Sequence, residues 1–204
     1  ILAFESLRSL TYGMGIAIGG LYLLFALKRT FRLVKLQGSD DANSSDANRA
    51  TFMQKSLAIL GFLTLGLWIS GTEELVFRGW MQTQLEGVFS GWLAASVGSV
   101  LFAAAHLMWD GRPGLWQQPG LWILGWVLVI ARWADGGNLA LAWGLHAGWV
   151  SGLAYIDTVL QPQPVEQSPQ WLAGRPNQPL TSGLDFLLMV ITAGLVWRMN
   201  GGLP

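Results

Sequence analysis

Residues 90–109 read SGWLAASVGSVLFAAAHLMW, a run that contains no lysine, arginine, aspartate or glutamate. A helix needs about 20 mainly apolar residues to cross a bilayer, and this run has that length. Its one ionisable side chain is His106. The run therefore predicts a membrane-spanning helix that carries a histidine at membrane depth, where ionisable groups usually mark a working site.

The composition of the whole chain agrees with a membrane environment. Hydrophobic residues make up 52% of the sequence, charged residues only 12%, and the mean hydropathy is +0.42. The 12 basic residues balance the 12 acidic ones and form no basic stripe, which argues against a nucleic-acid partner. Because the sequence has no cysteine, disulfides and thiolate metal sites are excluded. We predict an integral membrane protein that contacts membrane lipid.

The apolar segments predict a single all-α domain over residues 1–204, a polytopic membrane helical bundle of about six spans. The predicted spans are 10–27, 56–71, 90–109, 121–133, 138–156 and 184–199. The basic residues that follow the first span predict that this end lies on the cytoplasm-equivalent side: Lys28, Arg29, Arg32 and Lys35. Residues 37–49 predict a mobile polar loop, and residues 157–182 predict an extended loop rich in proline and glutamine. Since the chain begins at Ile1, we also expect it to be a trimmed piece of a longer polypeptide.

Residues 71–80, GTEELVFRGW, carry the densest charge inside an apolar region. On a helix, Glu74 and Arg78 lie four residues apart on one face, in the favourable order for an ion pair. Glu73 lies about 100° further round the helix and cannot share that partner equally well. Its carboxylate is therefore a candidate general base. The alternative is that Thr72, Glu73 and Glu74 cap the start of a helix.

The third predicted span contains Phe102-Ala-Ala-Ala-His106, followed by Asp110. Phe102 and His106 share a helix face, so the aromatic ring can pack on the imidazole. We expect Asp110 to accept a hydrogen bond from His106 and to fix its tautomer. The alternative is that this histidine bonds a neighbouring carbonyl group.

Residues 144–152, GLHAGWVSG, place glycines at 144, 148 and 152, a doubled GxxxG pattern that lets another helix approach closely. Close packing explains the glycines, but it does not explain His146 beside them. His106 and His146 are the only histidines in the chain, and we predict that both converge on Glu73.

Glu-Glu-x-x-x-Arg, Phe-x-x-x-His and a later helical histidine, in this order, resemble the motif set of the CAAX-protease and bacteriocin-processing family of intramembrane glutamate peptidases. The resemblance covers residues 71–152, about half the chain. It implies an all-helical membrane fold in which Glu73 and His106 activate a water and His146 helps to hold the oxyanion. It also implies that Arg78 supports the acid pair structurally. A membrane-anchored peptide or protein would then be the substrate.

The sequence departs from the family pattern at Val150, where an asparagine is usual four residues after the second histidine. A valine cannot donate a hydrogen bond, and loss of one oxyanion donor typically reduces turnover by about 100 to 1,000-fold. One alternative is therefore a catalytically silent family member that acts as a scaffold or assembly factor in a membrane complex. Ser151 is a poor substitute donor, because it lies on a different part of the helix face.

Three other possibilities concern cofactors and location. We expect no cofactor, although Glu73, His106 and His146 resemble a two-histidine, one-carboxylate set that could hold a divalent metal. A haem or chlorin ligated by imidazole is a further alternative. No Gly-x-Ser-x-Gly elbow supports a serine mechanism. The tryptophan-rich helices also resemble cyanobacterial or plastid members of the family, so the expected location is a plasma or thylakoid membrane.

Overall fold

The computed structural model describes residues 2–36, 45–176 and 178–199, and within them the chain is a bundle of α-helices. The elements are, in order, α1 (Leu2–Thr30), β1 (Val34–Leu36), α2 (Ser45–Glu74), a π-helix (Leu75–Met81), α3 (Gln82–Glu86), α4 (Gly91–Asp110), a 3₁₀-helix (Arg112–Gln117), α5 (Gln118–Ala134), α6 (Ala140–Tyr155), a π-helical turn (Ile156–Leu160), β2 (Pro162–Pro164), α7 (Gln170–Ala173) and α8 (Gly183–Met199). The predicted all-α fold is confirmed.

Four helical segments of the described chain are long and apolar enough to cross a membrane. They are Ala3–Thr30, Ser56–Glu86, Gly91–Asp110 and Arg112–Ala134. The other two predicted spans correspond to α6 and α8, which have 16 and 17 residues. Helix α8 is shorter than the roughly 20 residues that a straight span needs, whereas α6 continues directly into the π-helical turn Ile156–Leu160, so that this helical segment has 21 residues. The chain is an integral membrane protein, with α6 at the centre of the bundle.

Helix α6 is the centre of the fold, and α1 and α2 pack against it. Its glycines make the contact with α1 possible, because a Cβ atom on Gly144 would collide with the backbone of Leu10. One turn further on, a Cβ atom on Gly148 would lie only 2.7 Å from the Cβ of Ala17. The predicted close approach of another helix to this glycine stripe is thus confirmed, and the partner is α1.

Helices α4, α5 and α8 form the other side of the bundle, with α5 between its two neighbours. The side chain of Ser99 in α4 packs directly against Gly125 of α5, where a Cβ atom would leave too little space. Trp92 of α4 stacks between Trp126 and Trp197, with ring centroids 5.8 and 5.9 Å away. Several of the 12 tryptophans therefore join helices to one another, in addition to the membrane-interface role that their number predicts.

The segment between α6 and α8 folds back over the end of the bundle where α1 ends. β2 pairs with β1 in an antiparallel ladder, with Val34 opposite Pro164. Lys28 forms an ion pair of 2.7 Å with Asp185 at the start of α8. The predicted extended loop over residues 157–182 needs correction at two places: its first residues belong to the π-helical turn Ile156–Leu160, and it contains the one-turn helix α7.

The predicted polar loop over residues 37–49 needs a second correction. Residues 37–44 lie outside the described part of the chain, so that portion of the prediction has no structural counterpart here. Helix α2 begins at Ser45, which makes the last five residues of the predicted loop helical. Serine and aspartate favour the first turn of a helix, and the alanines and arginine of the sequence SDANRA favour its continuation.

Candidate active site

A line of buried polar side chains runs along the second helical segment at intervals of four residues. Its members are Ser70, Glu74, Arg78 and Gln82, each at most 2% exposed. In a uniform α-helix of 3.6 residues per turn, residues four apart drift by about 40°, so this line would twist away by about 120° over its length. The π-helix from Leu75 to Met81 has wider turns, which cancel the drift. It keeps all four side chains facing the bundle, and π-helical turns of this kind are frequent at functional sites.

Glu74 and Arg78 form the predicted ion pair. Arg78 Nη1 donates to Glu74 Oε1 at 2.9 Å, and the two side chains are 2% and 1% exposed. The guanidinium also lies 4.1 Å from the centroid of the Phe102 ring, and Nη2 donates weakly to the Gly125 carbonyl at 3.4 Å. Arg78 is therefore held by three elements, α4, α5 and its own helix, which fits the structural role that the resemblance implies.

His146 lies between the two glutamates. Its Nδ1 donates to Glu74 Oε1 at 2.8 Å, while its Nε2 lies 3.5 Å from Glu73 Oε2, close but outside hydrogen-bond geometry. Because Nδ1 carries a proton, a neutral His146 turns the lone pair of Nε2 toward a carboxyl oxygen. These two acceptor atoms could form a hydrogen bond only when one of the two groups is protonated.

The two adjacent acids occupy different environments. Glu74 is 1% exposed and bound by Arg78 and His146, whereas the Glu73 side chain is 24% exposed. Helix α2 continues without a break through Thr72 to Glu74, so the alternative that these residues cap a helix start is wrong. Glu73 is the acid that another molecule can reach.

His106 is oriented by a backbone carbonyl, and the prediction that Asp110 orients it is wrong. His106 Nδ1 donates to the Phe102 carbonyl oxygen at 2.9 Å. Asp110 is exposed, and no hydrogen bond joins it to His106 within the described chain. Helical side chains tilt toward the N-terminus, so the imidazole reaches the carbonyl four residues earlier and points away from a carboxylate four residues later. Since Nδ1 carries the proton, Nε2 is left as a free acceptor.

The Phe102 ring joins these groups into one site. Its centroid lies 4.7 Å from that of His106 and 5.8 Å from that of His146, and Arg78 covers its face. Both histidines therefore pack on one aromatic ring. No hydrogen bond or ion pair links His106 to Glu73 in the residues that the structure describes. Direct polar contacts therefore join four predicted site residues: Glu73, Glu74, Arg78 and His146. His106 is joined to them only through the Phe102 ring.

Residues 55–152 match a family model described as type II CAAX prenyl endopeptidase, Rce1-like. The chain belongs to the CAAX-protease and bacteriocin-processing family. The matched segment contains both glutamates, the arginine and both histidines of the site. No curated protein and no solved structure matches the chain. Family membership supports a membrane-embedded, CAAX-type protease-like role.

The position that departs from this family's pattern carries no donor of its own, and the serine next to it is already bonded. Val150 is only partly buried, and its side chain has no hydrogen to donate. Ser151, the next residue, donates to the Phe62 carbonyl of α2 at 3.0 Å, so its hydroxyl faces the neighbouring helix. The expectation that Ser151 does not replace the missing asparagine agrees with this contact.

The alternative of a divalent metal stays a prediction. Over the part of the chain that the structure describes, no three histidine, aspartate or glutamate side chains are grouped to hold an ion. His146 directs Nδ1 to Glu74 and Nε2 toward Glu73, so both ring nitrogens face carboxyl groups of the site. The haem or chlorin alternative stays a prediction.

Proposed function

We propose that this chain is an intramembrane endopeptidase that uses a water activated by Glu73. The observation that carries the proposal is the asymmetry of the acid pair. Arg78 and His146 both bind Glu74, whereas Glu73 is partly exposed and its carboxylate lies 3.5 Å from Nε2 of His146. An acid beside a proton-exchanging imidazole and in a largely apolar setting is suited to general-base catalysis.

In the proposed reaction, Glu73 accepts one proton from a water while the water oxygen attacks the carbonyl carbon of the scissile peptide bond. Nε2 of His106, which is free to accept, orients the same water. Glu73 then passes its proton to the peptide nitrogen as the C–N bond breaks, which releases an amine and a carboxylic acid. Such positioned proton transfer contributes about 100 to 10,000-fold to a rate. We assign His146 to hold both glutamates and to share the proton with Glu73.

A membrane-anchored peptide is the substrate class that we propose. A cavity of about 450 Å³ is lined by Thr72 and Glu74, the residues on either side of Glu73 in the sequence, and most of its walls are apolar; Glu73 itself does not line it. Leu67, Trp68, Leu75 and Trp143 contribute to those walls. An apolar chain or lipid-modified tail suits such walls, and the matching family is described by its action on CAAX prenyl substrates. The location, plasma or thylakoid membrane, stays a prediction.

Val150 favours a second candidate, a catalytically silent family member that acts as a membrane scaffold. The oxyanion that forms during peptide hydrolysis needs donors, and this position supplies none. A scaffold would keep the Glu74–Arg78 pair and the packed core, since these stabilise the fold, without any requirement for a reactive Glu73.

Cleavage of a fluorescent, membrane-anchored peptide in liposomes separates the two candidates. We expect slow cleavage by the unsubstituted protein and at least a 100-fold lower rate for Glu73→Gln. Glu5→Gln is the matched control, because Glu5 is an exposed acid on α1 that pairs with Arg8 on the same helix. Equal rates for the unsubstituted protein and Glu73→Gln, both at the level of empty liposomes, would favour the scaffold.

A further inference from the structure

Ser70 has a buried hydroxyl that behaves differently from others on the same helical segment. Three threonines there donate to the carbonyl oxygen four residues earlier, at 2.9, 2.9 and 2.6 Å: Thr64, Thr72 and Thr83. Ser70 is 0% exposed, and its Oγ has no hydrogen-bond partner within the described residues. A hydroxyl buried in an apolar bundle is expected to bond something. The usual partner, the carbonyl four residues back, is not used here.

The carboxylate one turn later has a matching free atom. Glu74 Oε1 accepts from both Arg78 and His146, whereas Glu74 Oε2 is buried and accepts from no described group. Ser70 and Glu74 are four apart on one helix face, where Cβ atoms lie roughly 5–6 Å apart. Side chains at that separation leave room for one water between a hydroxyl and a carboxylate oxygen. Buried waters typically make about three hydrogen bonds to polar groups that otherwise lack partners.

Helix α6 closes this space from the other side. A Cβ atom on Gly66, four residues before Ser70, would lie 3.1 Å from the Ala147 carbonyl oxygen, which shows how closely α2 and α6 approach there. His146 and its bond to Glu74 close the other end. The position is therefore enclosed between two helices, and a water in it would exchange slowly.

We propose that Ser70 is a positioning residue: its hydroxyl and Glu74 Oε2 bind one buried water, which fixes the carboxylate that orients His146. Arg78 and His146 both bind Oε1 of Glu74, and no described group binds Oε2. The carboxyl group therefore keeps some freedom to rotate. The water holds the second oxygen and stops that rotation. The inference extends the proposed function, because Glu74 acts on the reaction through His146, but the water site exists whether or not the chain cleaves peptides.

Imidazole NMR tests the proposal without any enzymatic activity. The chain has only two histidines, so ¹⁵N-histidine labelling gives two sets of ring signals, which His106→Gln assigns. In Ser70→Ala, we expect the Nδ1 signal of His146 to move while the signals of His106 stay in place. Ser99→Ala is the matched control: its hydroxyl on α4 is 1% exposed and also lacks a partner among the described residues, but it packs against Gly125. Its effect on His146 Nδ1 should be absent.

An unchanged His146 signal in a folded Ser70→Ala protein would overturn the proposal, as would an equal shift in Ser99→Ala. If Ser70→Ala does not fold, an experimental structure of the unsubstituted protein that resolves ordered water decides the question. A water within hydrogen-bond distance of both Ser70 Oγ and Glu74 Oε2 supports the proposal, and a Ser70 hydroxyl turned to the Gly66 carbonyl overturns it. If the unsubstituted protein cleaves no peptide but Ser70→Ala shifts the His146 Nδ1 signal as expected, the result counts against the proposed function alone and supports the water site.

Discussion

Replacing Arg78 by methionine tests whether the buried ion pair stabilises the site. Methionine keeps an unbranched apolar side chain in the same space, but it removes the 2.9 Å bond to Glu74 and the contact with the Phe102 ring. Glu74 would stay buried, and of its two partners among the described residues it would keep only His146. Breaking a buried pair from one side typically destabilises a protein by about 3–5 kcal/mol. We expect a loss of that size in the free energy of unfolding.

The assay is equilibrium unfolding in mixed detergent micelles with increasing dodecyl sulfate, followed by circular dichroism. The Glu74→Gln/Arg78→Met double variant removes both charges and keeps an acceptor for His146, so it should recover more than half of the loss. Arg8→Met is the matched control, since the Arg8–Glu5 pair is 62% and 49% exposed. That exposed pair should contribute only about 0–1 kcal/mol. A loss below about 1 kcal/mol in Arg78→Met would refute the reasoning.

Four further variants test the packing and the outer end of the bundle. Gly144→Ala should prevent the close approach of α6 to Leu10 and lower the melting temperature sharply, whereas Gly15→Ala, which meets no neighbour, should stabilise α1 by about 0.5–1 kcal/mol; thermal melting in detergent measures both. Phe102→Ala should cost about 3–5 kcal/mol and shift the ¹⁵N signals of both imidazoles, because both pack on that ring, and a shift of only one would contradict the shared platform. Burial raises the pKa of Asp157, so its contribution to stability is full below the ordinary pKa of an aspartate and is lost as the pH rises through the raised value. Asp157→Asn should therefore be more stable than the unsubstituted protein above that pH, and its melting temperature should vary less with pH; an unchanged pH dependence would count against a partly desolvated carboxylate there.

Residue spacing was sufficient to predict the apolar helices and the Glu74–Arg78 pair. Both depend on local periodicity, and a pair four residues apart meets on an α-helix and across this π-helical turn alike. The glycine stripe in α6 likewise predicted close packing. Its partner, α1, was not predictable, because any helix can use such a groove.

The remaining geometry depends on contacts between distant segments. The π-helix that keeps Ser70 and Gln82 on one face leaves no signal in the composition of the segment. The four-residue spacing of His106 and Asp110 suggested a contact between them. It did not take into account that helical side chains tilt toward the N-terminus, which directs the imidazole to the Phe102 carbonyl. Four-residue spacing from Glu74 could have identified Ser70, as a hydroxyl in an apolar run directly before an acid.

Peptide cleavage by Val150→Asn, alone and combined with Glu73→Gln, tests the central claim most directly. The asparagine restores a side-chain donor four residues after His146, which should raise the cleavage rate of a membrane-anchored peptide by about 100 to 1,000-fold. The double variant should return to the level of empty liposomes, because the general base is gone. No cleavage by Val150→Asn in a folded protein, or equal cleavage with and without Glu73, would contradict a peptidase site built on this glutamate.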